Sequence, residues 1–473
     1  MFGNRRAGHS TFVSCAFLLL AIGSPGLSWA QAQSPFLGSV PAGQATGTTL
    51  DLSLHDAFDR ALKYNLGVIE SGEDTRAAHA ARLRALNALL PQLSARVSAS
   101  LEQVNFAAQG ISFKIPGVNI PSIGGPFWVT DGRADLSQEV FNWSDIQSLK
   151  AASASEKASE YTYRSDRDLV IFTAGNAYLL VISDSALVDS IRAQVNTALT
   201  LYQQDTDKNK NGIIAGIDVL RAHVELETQQ QRLIAAQNQL NIDKLSLARV
   251  IGLPNGQEFH VTESVPYAPL AQITLEQALQ QAYATRPDYL SSEAQVQAAE
   301  LTLRAAGAEN YPYVSTDTNY GDIGSPNFTS SHGTVGFDAA LNLPIFQGSR
   351  VRAAKLQADA ALEQRRAELA DLRGRVDDDV RTAFYNLKSS SDLVTVAQSN
   401  IDLANQTLSQ ARDRFTSGVA DNLEVVQAQE SVATANQSYI ASLYSFNVAK
   451  ISLAQALGVA EKSALQFLEG GKQ

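Results

Sequence analysis

The sequence predicts an α+β membrane protein built from a duplicated unit, each copy a β-hairpin joined to very long helices that pack as coiled coils. Three observations predict it: an internal repeat, two-faced alternating segments flanked by aromatic residues, and proline-free runs too long for a compact domain. Of the 473 residues, 45% are hydrophobic, 18% charged and 7% aromatic, which is too apolar for a disordered chain and too mixed for a bundle of membrane-spanning helices. Lys and Arg total 37 against 48 Asp and Glu, a net charge of -11. No nucleic-acid partner is expected, because binding phosphates needs a basic face.

Residues 1–30 read as a secretory leader, with Arg5 and Arg6, the apolar stretch from Phe12 to Ile22, and the small-x-small site Ser28-Trp29-Ala30. Loss of its two arginines takes the net charge from -11 to -13. The same segment holds the single cysteine, Cys15, inside the apolar stretch, so a mature chain without disulfide, thiolate metal site or acyl anchor is expected. No later stretch offers 18 uninterrupted apolar residues; on this reading a spanning helix is excluded and strands are the route into a membrane. An extended segment at 31–49 follows.

The repeat resets the domain count. Leu52-Ser53-Leu54-His55-Asp56-Ala57 aligns with Ile273-Thr274-Leu275-Glu276-Gln277-Ala278 at an offset of 221, which also carries Pro91 onto Pro312. At an offset of 206, Ala177-Tyr178 falls on Ala383-Phe384, Gly212 on Gly418, Val219 on Val425, and Ile251-Gly252-Leu253 on Leu457-Gly458-Val459. The difference of 15 residues lies between about 95 and 140, where Gly110, Pro116, Gly117, Pro121, Gly124, Gly125 and Pro126 make a turn-rich loop. The first copy runs from 50 to 254, with a hairpin at about 92–141 and a helical turn near 212. A linker at 255–271 leads to the second copy at 272–460, with a hairpin at about 313–346 and a turn near 418, and 461–473 reads as a tail.

Within each copy the hairpins alternate with period two. Leu93, Ala95, Val97, Ala99 and Leu101 oppose Ser94, Arg96, Ser98, Ser100 and Glu102; Ala134, Leu136 and Val140 oppose Arg133, Asp135, Ser137 and Glu139; Val335, Phe337, Ala339, Leu341 and Leu343 oppose Asp338 and Asn342. Aromatic residues gather at the strand ends: Phe106, Phe127, Trp128, Tyr320 and Phe328 beside the loops, and Phe141, Trp143, Tyr311, Tyr313 and Phe346 beside the helices. Such girdles mark the two interfaces of an outer-membrane barrel. A soluble sheet with one solvated face is the plainer alternative, since alternation alone does not separate a lipid face from a core face.

The helical runs extend from about Ser144 to Asp205 and from about Ser349 to Phe415 without proline. Some 65 residues at 1.5 Å each span about 100 Å, and such a helix needs partners along its length. The returning helices supply a heptad stripe, Val219, Leu226, Leu233, Leu240 and Leu247, repeated as Val425, Val432, Tyr439, Phe446 and Leu453. The companion positions Ala428, Ala435, Ser442, Ala449 and Ala456 are small, the pattern of closely approaching coiled coils. Four strands per chain cannot close a membrane barrel, which takes about eight, and an open edge in lipid is forbidden. Oligomerisation is therefore expected; twelve strands from three chains is the simplest closed solution, with two or four chains left open by the periodicity.

Duplicated hairpin and long-helix units with a glycine at each helix turn resemble the TolC-type outer-membrane efflux protein family, over about 50–460. The most specific stretch, from Arg414 through Phe415, Gly418, Asp421, Asn422 and Glu424 to Gln429, is similar to that family's periplasmic tip signature, and its first-copy counterpart runs from Asn211 to Leu220. The resemblance implies a trimer with one twelve-strand barrel in the outer membrane of a Gram-negative cell, continued by a periplasmic α-helical barrel. It implies a channel without catalytic activity, and as partners a periplasmic adaptor and an inner-membrane pump or secretion ATPase. It also implies a gate or selectivity ring at Asp218, Glu424 and Phe415, and adaptor-docking tips at Gly212, Ile213, Gly418, Val419 and Leu423. The sequence departs from the family's best-known pattern at Ala420, where a latching Arg would sit, and at Gln427, which replaces a second ring acid.

Elementary chemistry supports the tip reading. Two antiparallel helices meeting at Gly212 or Gly418 need a residue tolerant of a left-handed backbone, and Ile213 or Val419 leaves an apolar knob at an exposed turn. Asp218 and Glu424, six residues past each glycine, become rings of carboxylates in a symmetric tube, attracting cations and repelling anions; the plainer alternative is a solvated helix face. Asp207, Asn209, Asn211, Gly212 and Asp218 match the spacing of an EF-hand loop, but Lys208 and Lys210 stand inside it and the second copy offers Phe415 and Ser417 instead. No metal or cofactor is expected, and no hydrolase, metalloprotease or phosphate-loop signature occurs. The competing function is a non-conducting coiled-coil scaffold or adhesion protein anchored in the outer membrane, which needs neither polar strand faces nor acids beside the turns.

Overall fold

The computed structural model describes residues 34–108, 110, 121–263, 267–269, 273–325, 330–420 and 422–468. The expected leader at 1–30 with Cys15, the loop residues Pro116 and Gly117, the aromatic Phe328, and Asp421 lie outside the described residues.

Each copy begins with a short helix and a longer one. The first copy has α1 (Leu54–Tyr64) and α2 (Leu66–Asn87), the second α5 (Leu275–Thr285) and α6 (Pro287–Ala308). The repeated hexapeptide is a capping box in both: the Ser53 hydroxyl accepts from the Asp56 N–H and the Thr274 hydroxyl from the Gln277 N–H, while Asp56 and Gln277 reach back to the cap backbone. The two helices of a pair are separate because Asn65 and Arg286 are extended, the first capping Gly67 N–H through its amide oxygen and the second standing before Pro287, which disfavours helical backbone.

The hairpins follow: β2 (Gln92–Asn105) with β3 (Ile123–Phe141), and β5 (Tyr313–Gly324) with β6 (His332–Asn342). They form one antiparallel sheet of order β2-β3-β5-β6, leaving β2 and β6 as edges. The register carries the alternation across all four strands. Leu93, Leu136, Thr318 and Phe337 stand in one row and Ala95, Ala134, Tyr320 and Val335 in the next, while Ser94, Asp135, Asn319 and Gly336 share a row on the opposite face. The apolar face is bare: Leu93, Val97, Val335 and Phe337 are each at least 74% exposed. One expectation is corrected. A bulge between Glu139 and Phe141 displaces Val140, and Phe141 takes its place opposite Val314, in the row of Leu341.

From the sheet the chain enters α3 (Trp143–Lys210), of 68 residues, and α7 (Arg350–Thr416), of 67, each about 100 Å long at 1.5 Å per residue. The returning helices α4 (Gly216–Val250) and α8 (Asn422–Ala456) have 35 residues each. Near the sheet, helices lie in the order α2, α3, α6, α7; towards the turns the order is α4, α3, α8, α7. The outer helices are thus α2 or α4 on one side and α7 on the other.

The main core lies where these elements meet. Strand β1 (Leu50–Leu52) pairs in parallel with β4 (Phe259–Val261), so the expected linker contributes a strand. Around it Phe58, Ile171, Tyr178, Leu247, Ile251 and Ile451 are buried, and the Tyr178 hydroxyl donates to the Leu52 carbonyl at 2.9 Å. A stretch of α3 is apolar enough, by length and composition, to cross a membrane, which corrects the expectation that no helix would be; its Val170, Ile171, Ala174, Tyr178 and Val181 are buried in this core. The expected tail carries a ninth helix, α9 (Ala460–Leu468), which the Asp168 carboxylate caps by accepting the Glu461 N–H at 2.7 Å while Arg167 pairs with Glu461 at 2.6 Å.

Asp184 on α3 faces Asp243 on α4 beside Tyr444 on α8, one Asp184 oxygen is buried without a hydrogen-bond partner among the described residues, and the Gln239 amide donates to Asp243 at 2.7 Å. Burial, then the neighbouring Asp243 carboxylate, push Asp184 up to about 7. A carboxyl raised on folding stabilises fully below its ordinary value and loses that contribution as pH rises through the folded value. The α3–α4 contact is thus expected to weaken between about pH 4 and 7. Asp243→Asn should flatten this segment of the profile, leaving the thermal unfolding midpoint roughly 2–4 °C less sensitive to pH over that range, as circular dichroism melts can show.

Candidate functional site

The two helical turns are built alike. At the first, Ile213 N–H donates to the Lys208 carbonyl at 2.9 Å and Gly212 N–H to Asn209 at 2.9 Å; at the second, Val419 N–H donates to Arg414 at 2.9 Å and Gly418 N–H to Phe415 at 3.1 Å. This paired closure of a helix C-terminus requires a left-handed residue, and Gly212 and Gly418 both have φ of 72°. An added Cβ meets nothing within 4 Å at either glycine, so backbone conformation, and not space, demands glycine there. The residues just beyond are bare: Ile213 is 69% exposed and Val419 71%, with Leu423 at 40%.

Asp218 and Glu424 occupy the first turns of α4 and α8. Each is paired within its own hairpin, Asp218 with Arg221 at 3.3 Å and Glu424 with Arg414 at 3.3 Å. Exposed pairs of this kind contribute about 0–1 kcal/mol, so they orient the acids more than they stabilise the turn. Phe415 packs with Leu201, Ala222, Ala411 and Val425 in a small cluster that joins the two hairpins, and the Lys208 ammonium stands 4.2 Å from its ring centre.

Two residues to which the sequence reading gives no role of their own join the two hairpins at this end. Asp205 on α3 and Asn422, the first residue of α8, have no exposed surface. The Asn422 amide donates to the Asp205 carboxyl at 2.5 Å and to the Asp218 carbonyl at 3.3 Å. Burial pushes Asp205 up to about 6, Lys208 pulling it down and Asp218 adding to the rise. The available signal was an acid on an apolar stripe: Ala198 and Leu201, which are buried, precede Asp205 at heptad spacing. The repeat hid it, because the offset of 206 puts Asp205 on Ala411 and Gly216 on Asn422.

The calcium-loop spacing does not form a loop. Helix α3 runs through Lys210, Lys210 pairs with Asp207 at 3.2 Å, and the Asn209 amide donates to the Ile214 carbonyl at 2.8 Å. Among the described residues no group of three His, Cys, Asp or Glu side chains is placed to hold a metal.

Sequence comparison matches residues 59–253 and 278–459 to the outer membrane efflux protein family, one segment for each copy. The chain is 26% identical over 324 residues to the probable efflux pump outer membrane protein TtgC of Pseudomonas putida, covering 64% of this chain and 63% of that protein. The chain thus spans about 63% of the length of the first relatives it matches. It is 21% identical over 429 residues to the outer membrane protein TolC of Escherichia coli, covering 88% of this chain and 84% of that one. The fold is similar to the crystal structure of the Campylobacter jejuni CmeC outer membrane channel, with a TM-score of 0.72 at 16% identity over 95% of this chain and 98% of that one.

The open surroundings of Gly418 isolate its conformational role. Gly418→Ala should destabilise the second turn by about 1 kcal/mol through left-handed strain alone, seen as faster proteolytic nicking near 418, with Gly418→Asn closer to the wild type.

Proposed function

The chain belongs to the outer membrane efflux protein family, and from that premise we propose that it is the outer-membrane exit duct of a tripartite efflux pump or type I secretion system. It conducts substrates passively from a periplasmic adaptor and an inner-membrane pump or secretion ATPase to the exterior. The observation that carries this reading is the four-stranded sheet with one apolar face, one polar face and two open edges, set on a row of helices whose outer members are also unpartnered along one side. Lipid tolerates the apolar face but not the edges.

Further copies of the chain supply the missing neighbours. Edge β6 of one subunit pairs with β2 of the next, and α7 lies on the next subunit's α2 and α4. Ile217, Val224 and Ile234 on α4 and Leu393, Val396 and Leu403 on α7 are exposed apolar side chains suited to such a seam. Three copies close a twelve-strand barrel whose lumen is lined by the polar rows, with Arg133 and Asp131 paired at 2.7 Å among them. The helices continue the wall into the periplasm as a second barrel, to which the copies 50–254 and 272–460 contribute alike. At its far end Asp218, Glu424 and Phe415 form the constriction, and Gly212, Ile213, Gly418, Val419 and Leu423 present the tips, with Ile213 and Val419 as apolar knobs for the adaptor. No residue is assigned a catalytic role; transport energy enters from the inner-membrane partner.

Planar-bilayer conductance tests the reading. The purified protein should give a small conductance with a cation-selective reversal potential in a salt gradient, and Asp218→Ala/Glu424→Ala should lose most of that selectivity. Conductance unchanged by the substitutions would remove these acids from the gate, and silence of an inserted protein would favour the non-conducting scaffold.

A further inference from the structure

The Asp205–Asn422 contact joins the first hairpin, α3 with α4, to the second, α7 with α8, at the turn end. One hydrogen bond is made, from the Asn422 amide nitrogen to Asp205 Oδ2. The two atoms left over, Asp205 Oδ1 and Asn422 Oδ1, are both acceptors, both buried, and both without a hydrogen-bond partner among the described residues. A buried acceptor without a donor loses its hydration and gains nothing in return, and two in one contact call for an explanation. A carboxylate facing a carboxamide can make only the one bond present. A neutral carboxyl facing the same amide makes two, accepting from the N–H and donating its O–H to the amide oxygen. A single proton on Asp205 therefore satisfies both atoms.

The surroundings agree. From α3 itself Lys208 faces Asp205, but its ammonium is drawn over the Phe415 ring on α7. From α4 comes the Asp218 carboxylate, shared with Arg221. From α8 and α7 come Glu424 and Arg414, paired to each other. Asp205 thus makes no salt bridge among the described residues, has the pull of Lys208 opposed by the Asp218 charge, and has no exposed surface. Burial is the first cause of its rise to about 6 from an ordinary value of 3.8.

We propose that Asp205 and Asn422 form a proton-operated clasp between the two hairpins, closed while Asp205 carries its proton and released when the proton leaves. The clasp rests on the reading of the tip as the gate of the duct, and names what regulates it. With the hairpins separated, Asp205 is wetted and returns towards its ordinary value, so protons favour the clasped form. The clasp is at full strength below about pH 4 and weakens as pH rises through 6. Between these limits the balance between clasped and separated hairpins moves about 100-fold towards the separated form, the ratio set by the two values.

Two readouts on the full-length protein test this. The first is open probability in planar bilayers from pH 4.5 to 7.5. The second is the distance between spin labels on Ile213→Cys and Val419→Cys, which needs no conductance. The wild type should open more often and show longer label distances as pH rises. Asp205→Asn replaces the acid with an amide that makes two bonds to Asn422 at every pH, and both readouts should then be flat and closed. Asn422→Ala removes the partner and should be open throughout. A pH response that survives Asp205→Asn in the label distances overturns the clasp. If the inserted protein never conducts but its label distances respond to pH and lose that response in Asp205→Asn, the clasp stands and the duct reading falls.

Discussion

The two open edges of the sheet are the condition on which everything else depends. Four antiparallel strands with an apolar face meet lipid well along that face, yet β2 and β6 each present a row of backbone groups that hydrocarbon cannot satisfy. A soluble protein could cover such an edge with a loop, or the apolar face with a helix. Here the helices pack on one another and not on the four-stranded sheet, and the large side chains of its apolar face remain bare. On the proposed reading another copy of the same sheet satisfies the edges, and head-to-tail pairing of β6 with β2 closes only if the rotation per copy closes.

The helices inherit this geometry. Because α3 and α7 continue from β3 and β6, the order of strands becomes an order of helices, and the open sides of the sheet become the open sides of α7 and of α2 and α4. The core around Tyr178, where β1, β4 and α9 are added, braces the long helices midway along their length. Towards the far end packing thins to a small cluster of Leu201, Ala222, Ala411, Val425 and Ala428. An end held by so few apolar contacts is where a modest electrostatic change can separate the two hairpins, and it is where Asp205, Asn422, Lys208 and Phe415 sit.

Much of the architecture was legible in the sequence because it is periodic. The hexapeptide at 52–57 and its copy at 273–278 are capping boxes, so local chemistry and the repeat mark the same helix starts. Alternation over 93–101 and 335–341 placed the apolar side chains on one face, and the two glycines at φ of 72° sit where the turn chemistry required them. Features that break a period were not legible. The bulge that exchanges Val140 for Phe141 has no signal in an alternating run. Helix α9 was hidden because its docking depends on Asp168 and Arg167, nearly three hundred residues away in sequence. Asp205 and Asn422 were masked by the duplication itself, since the pair joins two positions that are not equivalent in the repeat.

The central claim is that the open sheet edges are satisfied by further copies of this chain. Its most direct test is the mass of the protein extracted from membranes in mild detergent, by native mass spectrometry or light scattering corrected for detergent. The account predicts a species of three chains, each at most 50.7 kDa, with β2 of one crosslinked to β6 of its neighbour by paired cysteines. A folded, membrane-inserted single chain, or trimers whose β2 and β6 edges cannot be crosslinked, would contradict it.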